Sequence, residues 1–200
     1  MERKQMEKFV VEKEWEMFQQ VKGIGGRASC QDDQETFVIM RLSQFESWPE
    51  EAVESYLQDL EEAGKNERNL VMEKYAYMME ITDPEYYASI CHLLPAVSPE
   101  AKEMVGQISA QYMCWEKEIE ILYPNIRKHG RVTSGLAADG SASVENYLQS
   151  ELKTYSVRTL RILIDQIKRE PHKNLYMISM EKLVKAYGYS SLEAAETALS

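Results

Sequence analysis

The segment between Ser98 and Pro124 constrains the fold most strongly. Ser98-Pro99-Glu100 is typical of a helix start, because serine caps well and proline is preferred at the first helical position. One uninterrupted apolar stripe at helical spacing follows, made of Ala101, Met104, Val105, Ile108, Tyr112, Trp115, Ile119 and Leu122. The pattern predicts a long amphipathic helix that ends at Pro124, with Ile108, Trp115 and Leu122 buried together.

Capping signals and apolar periodicity divide the rest of the chain in the same way. Further helices are expected at residues 4–21, from 29 or 32, from a capping box at 47–50, at 66–81, from 83, at 143–170, at 174–187 and from a capping box at 190–193. The sequence therefore predicts an all-α fold: a single orthogonal or bundle-like domain of about eight or nine helices over residues 1–200, without a sheet. The glycine-containing segment 129–143 offers a subdivision into a helical core at 1–128 and C-terminal helices at 143–200.

Composition agrees with a helical fold. The chain has nine glycines and six prolines, which together are 15 of its 200 residues. This fraction is below the roughly 12% that the two residues reach in average proteins. Its acidic residues are 27 Glu and 6 Asp. Glutamate is a good helix former, whereas aspartate favours caps and turns.

Net charge and cysteine content limit the classes of binding partner and the cellular compartment that are expected. The net charge is −10, which disfavours nucleic acid and anionic membranes as partners. Residues 1–100 carry a net −11 and residues 101–200 a net +1, so the first half suits a basic protein partner. Three cysteines without paired spacing indicate no disulfide framework. Glutamates in the first twenty residues exclude a signal peptide, and a cytoplasmic location is expected.

Four segments resemble a known family. They are 12–18 (EKEWEMF), 25–33 (GGRASCQDD), 36–41 (TFVIMR) and, later in the chain, 73–79 (EKYAYMM), with a shorter echo at 145–148 (ENYL). This sequence is similar to a bacterial family catalogued as domain of unknown function 4125. The resemblance implies that relatives are sometimes joined to a nucleotidyltransferase-like domain, which would give an accessory role in the modification of small molecules.

Segment 25–33 is the candidate ligand loop. Glycines let backbone N–H groups approach a ligand, and the following helix N-terminus favours an anion. The side chains expected to line the site are Arg27, Cys30, Gln31, Asp32 and Asp33. Under the structural interpretation, the glycines cap one helix, Ser29 or Asp32 caps the next, and Arg27 neutralises nearby glutamates. Both interpretations stay open at this point.

Three residues from later helices are expected to approach this loop: Glu73, Tyr75 and Glu116. A carboxylate held beside an apolar stripe can have a raised pKa and act as an acid or base. The inward-facing Glu-x-x-His pairs of helical metal sites are absent, as is the glycine-lysine phosphate loop. No metal and no cofactor are therefore predicted.

Three classes of function remain. The first is a protein that binds a small polar metabolite, as an enzyme or as an enzyme's accessory subunit. The second is an acidic protein-interaction module that docks on a basic partner. The third is a purely structural helical scaffold. A closed polar cavity against the loop would favour the first class, and an open apolar groove the second.

Overall fold

The computed structural model describes residues 1–23 and 26–200, so Gly25, at the start of the candidate ligand loop, lies outside the described residues. Helix accounts for 72% of the structure, and the described residues contain no β-strand. The α-helices, in chain order, are α1 (Arg3–Gln19), α2 (Gln34–Phe45), α3 (Glu50–Lys65), α4 (Leu70–Thr82), α5 (Pro84–Ile90), α6 (Pro99–Leu122), α7 (Pro124–Lys128), α8 (Val144–Leu152), α9 (Val157–Arg169), α10 (Leu175–Ala186) and α11 (Leu192–Ala198). Short 3-10 turns lie at Ser29–Asp32 and Cys91–Leu93.

The all-α prediction is confirmed, but the predicted count of eight or nine helices is too low. Pro124 ends α6 as expected and then opens α7, because proline fits the first turn of a helix. The helix predicted at 143–170 is two helices, since Ser156 caps α9 and accepts a hydrogen bond from the Thr159 N–H (3.2 Å). These two breaks account for the additional helices.

Several predicted caps are confirmed. The side chains of Asp83, Ser98 and Ser143 accept backbone N–H hydrogen bonds of 3.1, 3.1 and 3.2 Å at the starts of α5, α6 and α8. Asp33, rather than residue 29 or 32, caps α2, and the residues before it form a 3-10 turn.

Three predicted helix starts are wrong. Ser47 does not cap α3, because its hydroxyl donates to the Gln44 carbonyl at the end of α2 (2.7 Å). Ser191, not residue 190, caps α11. The helix expected from residue 66 begins at Leu70 with Asn69 as its cap, since the chain first turns out of α3.

The main core lies among α1, α2, α3, α6, α8 and α9. Its buried residues come from both sides of segment 129–143, as Val10, Tyr56, Leu152 and Leu160 show. A smaller cluster, around Ile126, Val184, Leu192 and Ala195, joins α7, α10 and α11. Helix α6 is about 36 Å long at 1.5 Å per residue, and it packs against helices of both clusters.

The buried stripe of α6 is shorter than predicted. Ile108 and Trp115 are buried, at 1% and 2% exposure, but Leu122 is 57% exposed. Leu122 is the last residue of α6, where the chain turns at Tyr123 into α7, so its side chain is left facing solvent. In the part of the chain that is described, no helix combines the length and apolarity needed to cross a bilayer.

Candidate functional site

Gln31 holds the candidate ligand loop to the end of α1. Its side chain is buried. The amide oxygen accepts a hydrogen bond from the Ala28 N–H (2.9 Å). The amide nitrogen donates to the carbonyls of Phe18 (2.8 Å) and Val21 (3.0 Å). Gln31 therefore gives the Val21 carbonyl its partner beyond the end of α1, and it adds a second donor to the Phe18 carbonyl, which also accepts from the Val21 N–H (3.1 Å).

The charged side chains of the loop also have partners within the protein. The Arg27 guanidinium donates to Asp32 Oδ1 (2.9 Å), to Gln19 Oε1 (2.6 Å) and to the Gln31 carbonyl (2.8 Å). Asp33 accepts from the Thr36 N–H (3.0 Å), and this backbone hydrogen bond lowers the pKa of its carboxyl group. These contacts favour the structural interpretation of the loop, and a ligand-binding role for it remains a prediction.

Tyr75, one of the three residues expected to approach the loop, contacts the end of α1. Its ring stacks on Phe18 with centroids 5.9 Å apart. The pKa of Tyr75 is raised by burial first, then by Tyr147, with a smaller contribution from the exposed Cys30 thiol. Because the Phe18 carbonyl also accepts a hydrogen bond from Gln31 of the loop, Tyr75 contacts a residue to which the loop is bound, and its approach to Cys30 remains a prediction.

The two predicted carboxylates have other partners. Glu73 accepts hydrogen bonds from two guanidinium nitrogens of Arg68, Nε (2.8 Å) and Nη2 (2.7 Å). Glu116 is fully buried and forms an ion pair with Arg127. No hydrogen bond or ion pair in the described part of the chain joins either carboxylate to the loop. Each carboxylate is thus neutralised by an arginine, and the approach of either one to the loop remains a prediction.

A buried polar network that sequence analysis did not identify lies at the centre of the main core. Arg41 binds Glu14 with two hydrogen bonds of 2.6 Å each, and it binds both oxygens of Glu151 at 3.1 Å. Lys74 donates to Glu151 (3.3 Å) and to the Tyr147 hydroxyl (2.8 Å). Two cations therefore balance two carboxylates.

The electrostatics of this network keep Arg41 and Glu151 charged. Burial by itself would lower the pKa of Arg41, but the charges of Glu14 and Glu151 outweigh burial and raise that pKa. Burial would raise the pKa of Glu151, but Arg41 and Lys74 hold it well below its ordinary value. Groups whose charges are fixed in this way stabilise a fold rather than exchange protons at neutral pH.

One signal in the sequence could have revealed the network. In α1 the buried residues recur at helical spacing as Glu7, Val10, Val11, Glu14 and Phe18. Glu14 therefore lies on the core-facing stripe, whereas its neighbours Glu12 and Glu16 are exposed. A glutamate in the middle of such a stripe predicts a buried cation opposite it, although the sequence does not say which one.

A cavity lies between α1, α3 and the turn that leads to α4. It has a volume of about 840 Å³ and is open to solvent on one side. We call it the α1–α3 groove, and it is lined by Lys13, Glu16, Met17, Gln20, Leu60, Glu61, Gly64, Lys65, Glu67, Arg68 and Asn69. A second cavity of about 270 Å³, beside the N-terminal half of α3, shares Glu61 with it.

The walls of the α1–α3 groove are fixed by hydrogen bonds. The Asn69 amide donates to the Met17 carbonyl (2.8 Å) and accepts from the Met72 N–H (2.9 Å). It therefore joins the end of α1 to the start of α4. Arg68 is held by Glu73, as described above. The remaining charged side chains of the lining are two lysines and three glutamates, which can bind groups of both charge signs.

Comparison with known proteins gives one match. No curated protein and no solved structure matches the chain. A family model described as "Protein of unknown function (DUF4125)" matches residues 4–197. That range covers nearly the whole chain, including both lysines and all three glutamates of the groove, and the protein therefore belongs to the DUF4125 family.

Proposed function

We infer that the protein binds a small polar metabolite in the α1–α3 groove, as an enzyme or as the accessory subunit of one. The observation that carries this proposal is a cavity of about 840 Å³ whose walls are fixed and whose lining presents both charge signs. This volume lies within the range of about 300–1,000 Å³ that is usual for small-molecule sites. A molecule with an ammonium group and a carboxylate would match the lysines and the glutamates together.

Gly64 provides a direct test of this site. It lies within α3 and lines the groove, and a Cβ atom at this position would meet no other atom within 4 Å. The variant Gly64→Leu therefore fills the groove without backbone strain. Gly106→Leu is the matched control, because Gly106 also lies in a helix with open space around it but is not part of the groove.

The probes are four six-carbon molecules of similar length: 6-aminohexanoate, adipate, 1,6-diaminohexane and 1,6-hexanediol. Calorimetric titration of the wild type should show the tightest binding for 6-aminohexanoate. Gly64→Leu should weaken that binding by about tenfold or more, and Gly106→Leu should leave it unchanged. Absence of 6-aminohexanoate binding to the wild type, or its survival in Gly64→Leu, would contradict the proposal.

The second candidate function is docking of a basic partner on the outer face of α3. Five exposed glutamates lie there, and none has an ion-pair partner among the described residues: Glu50, Glu51, Glu54, Glu61 and Glu62. Glu51 and Glu62 lie outside both cavities. The double variant Glu51→Lys/Glu62→Lys should abolish binding of an oligolysine peptide if this face docks a basic partner, without affecting 6-aminohexanoate.

A further inference from the structure

Glu67, on the rim of the α1–α3 groove, has an unusual backbone conformation. Its φ is +56°, in the left-handed region that residues with a Cβ atom rarely adopt. In the described part of the chain, every other residue with a positive φ is a glycine: Gly26, Gly135, Gly140 and Gly188. Glu67 therefore occupies a position at which glycine is the expected residue.

The end of α10 shows what this position normally holds. At the end of α3, the Arg68 N–H donates to the Ala63 carbonyl (2.8 Å) and the Glu67 N–H to the Gly64 carbonyl (3.2 Å). At the end of α10, Tyr189 donates to Val184 and Gly188 to Lys185, both at 3.0 Å. Both ends are Schellman motifs. Only the motif at the groove has a side chain on its left-handed residue.

No contact within the described protein accounts for that side chain. Glu67 is exposed, and none of the hydrogen bonds or ion pairs of the described residues involves its carboxylate. The neighbouring cation, Arg68, is engaged by Glu73. An unfavourable backbone conformation that is retained at a binding cavity indicates a functional role for the residue. A carboxylate there has one evident use, which is to bind a cationic group.

We propose that the Glu67 carboxylate binds the ammonium group of the molecule in the α1–α3 groove, which places the ligand in the class of amines that also carry a carboxylate. This proposal rests on the proposed function. Lys13 and Lys65, which line the same groove, would bind the carboxylate end. A ligand of this class satisfies Glu67, which has no partner of its own within the described residues.

The test compares two variants at position 67 with a matched control. Glu67→Gln removes the charge and keeps the side chain, whereas Glu67→Gly removes the side chain and relieves the backbone. Glu62→Gln is the control, since it makes the same charge change on α3 outside the groove lining. Titration with 6-aminohexanoate should show binding weakened by about tenfold or more in both Glu67 variants and unchanged in Glu62→Gln. Adipate, which has no ammonium group, should bind at least as well to both Glu67 variants as to the wild type.

Thermal unfolding of the proteins without ligand supplies the second measurement. Glu67→Gly should unfold at a higher temperature than the wild type. If it instead unfolds at a lower temperature, the strain is absent and the proposal is overturned. It is also overturned if the wild type binds 6-aminohexanoate and both Glu67 variants bind it within about twofold, while the proposed function then stands. If the wild type does not bind 6-aminohexanoate, both proposals fail.

Discussion

The candidate ligand loop and the α1–α3 groove are both rich in polar side chains, but they differ in how those side chains are satisfied. In the loop, the guanidinium of Arg27 and the buried amide of Gln31 bind side chains and carbonyls of the protein itself. In the groove, Glu67 occupies a left-handed conformation beside open space. A dense run of polar residues in a sequence is therefore weaker evidence for a binding site than polar groups that the folded protein leaves without partners.

Substitution in the central network should cause the largest loss of stability, because its charges are both buried and partnered. Replacement of Arg41 by Met should lower the free energy of unfolding by about 3–5 kcal/mol, since it leaves Glu14 buried without a cation and Glu151 with Lys74 alone. Urea unfolding measures the loss. Lys65→Met in the groove is the control and should change stability by no more than about 0.5 kcal/mol. A loss below about 1 kcal/mol for Arg41→Met would show that water or other groups replace the guanidinium.

Substitution of a buried residue of the loop should cause an intermediate loss of stability. Gln31→Leu leaves the Ala28 N–H and the Val21 carbonyl without a partner and removes one of the two donors to the Phe18 carbonyl, so the free energy of unfolding should fall by about 1–3 kcal/mol. Gln20→Leu, on the exposed rim of the groove, should change it by no more than about 0.5 kcal/mol. If both variants change the free energy of unfolding equally, the polar side chains of the loop are no better satisfied within the protein than those of the groove.

The variant Arg27→Ala distinguishes the loop from the groove by ligand affinity rather than by stability. If the loop binds the ligand, Arg27→Ala weakens 6-aminohexanoate binding and Gly64→Leu does not. If the groove binds it, the opposite pattern is expected. Thermal unfolding of both variants is the control, because a protein that is partly unfolded would lose binding for an unrelated reason.

The left-handed residues of the two Schellman motifs, Glu67 and Gly188, can each be replaced by the residue of the other motif. Glu67→Gly should raise the free energy of unfolding by about 1 kcal/mol, the cost of a left-handed conformation for a residue with a Cβ atom less the flexibility that glycine adds to the unfolded chain. Gly188→Glu should lower it by a similar amount, since a Cβ atom at Gly188 meets nothing within 4 Å. A loss in both variants would mean that Glu67 has a stabilising contact in solution.

The smallest effect is a dependence on pH at the start of α2. The hydrogen bond from the Thr36 backbone lowers the pKa of Asp33 in the folded protein, so the stabilisation is present above the unfolded pKa of about 3.9. It is lost as the pH falls through the lower folded pKa. The difference in melting temperature between wild type and Asp33→Ala should therefore be constant near neutral pH and shrink in acid. Glu12→Ala, on the exposed face of α1, controls for general charge effects. A difference that does not change with pH would show that the carboxylate's charge does not contribute.

Local interactions made much of the fold predictable. Helices and most of their N-caps follow from side-chain spacing and from hydrogen bonds that reach only three residues along the chain, as at Ser98 and Ser143. The break at Ser156 was missed, because the strong apolar pattern of α8 and α9 runs across it. At such a position the cap predicts a new helix and the apolar run predicts a continuous one, and the sequence does not show which of the two forms.

The candidate site could be predicted only in part. The loop was proposed from its residue types, but the groove was not anticipated. Gly64 resembles a helix stop in the sequence, whereas α3 continues past it and Glu67 takes the left-handed position. That choice depends on how the turn packs against α1 through the Asn69–Met17 hydrogen bond, which is a contact between distant parts of the chain.

The sequence by itself determined the helical class, the family and the approximate positions of the helices, because each of these depends on residue types and short spacings. The tertiary structure decided which charges are buried and what they bind. Arg41 meets Glu151 across 110 residues of sequence, and α1 and α3 enclose the groove only after they pack together. A side chain's type fixes what it can bind, but its partner is selected by long-range packing, and the same residue is a cap, an ion pair or a ligand contact according to that packing.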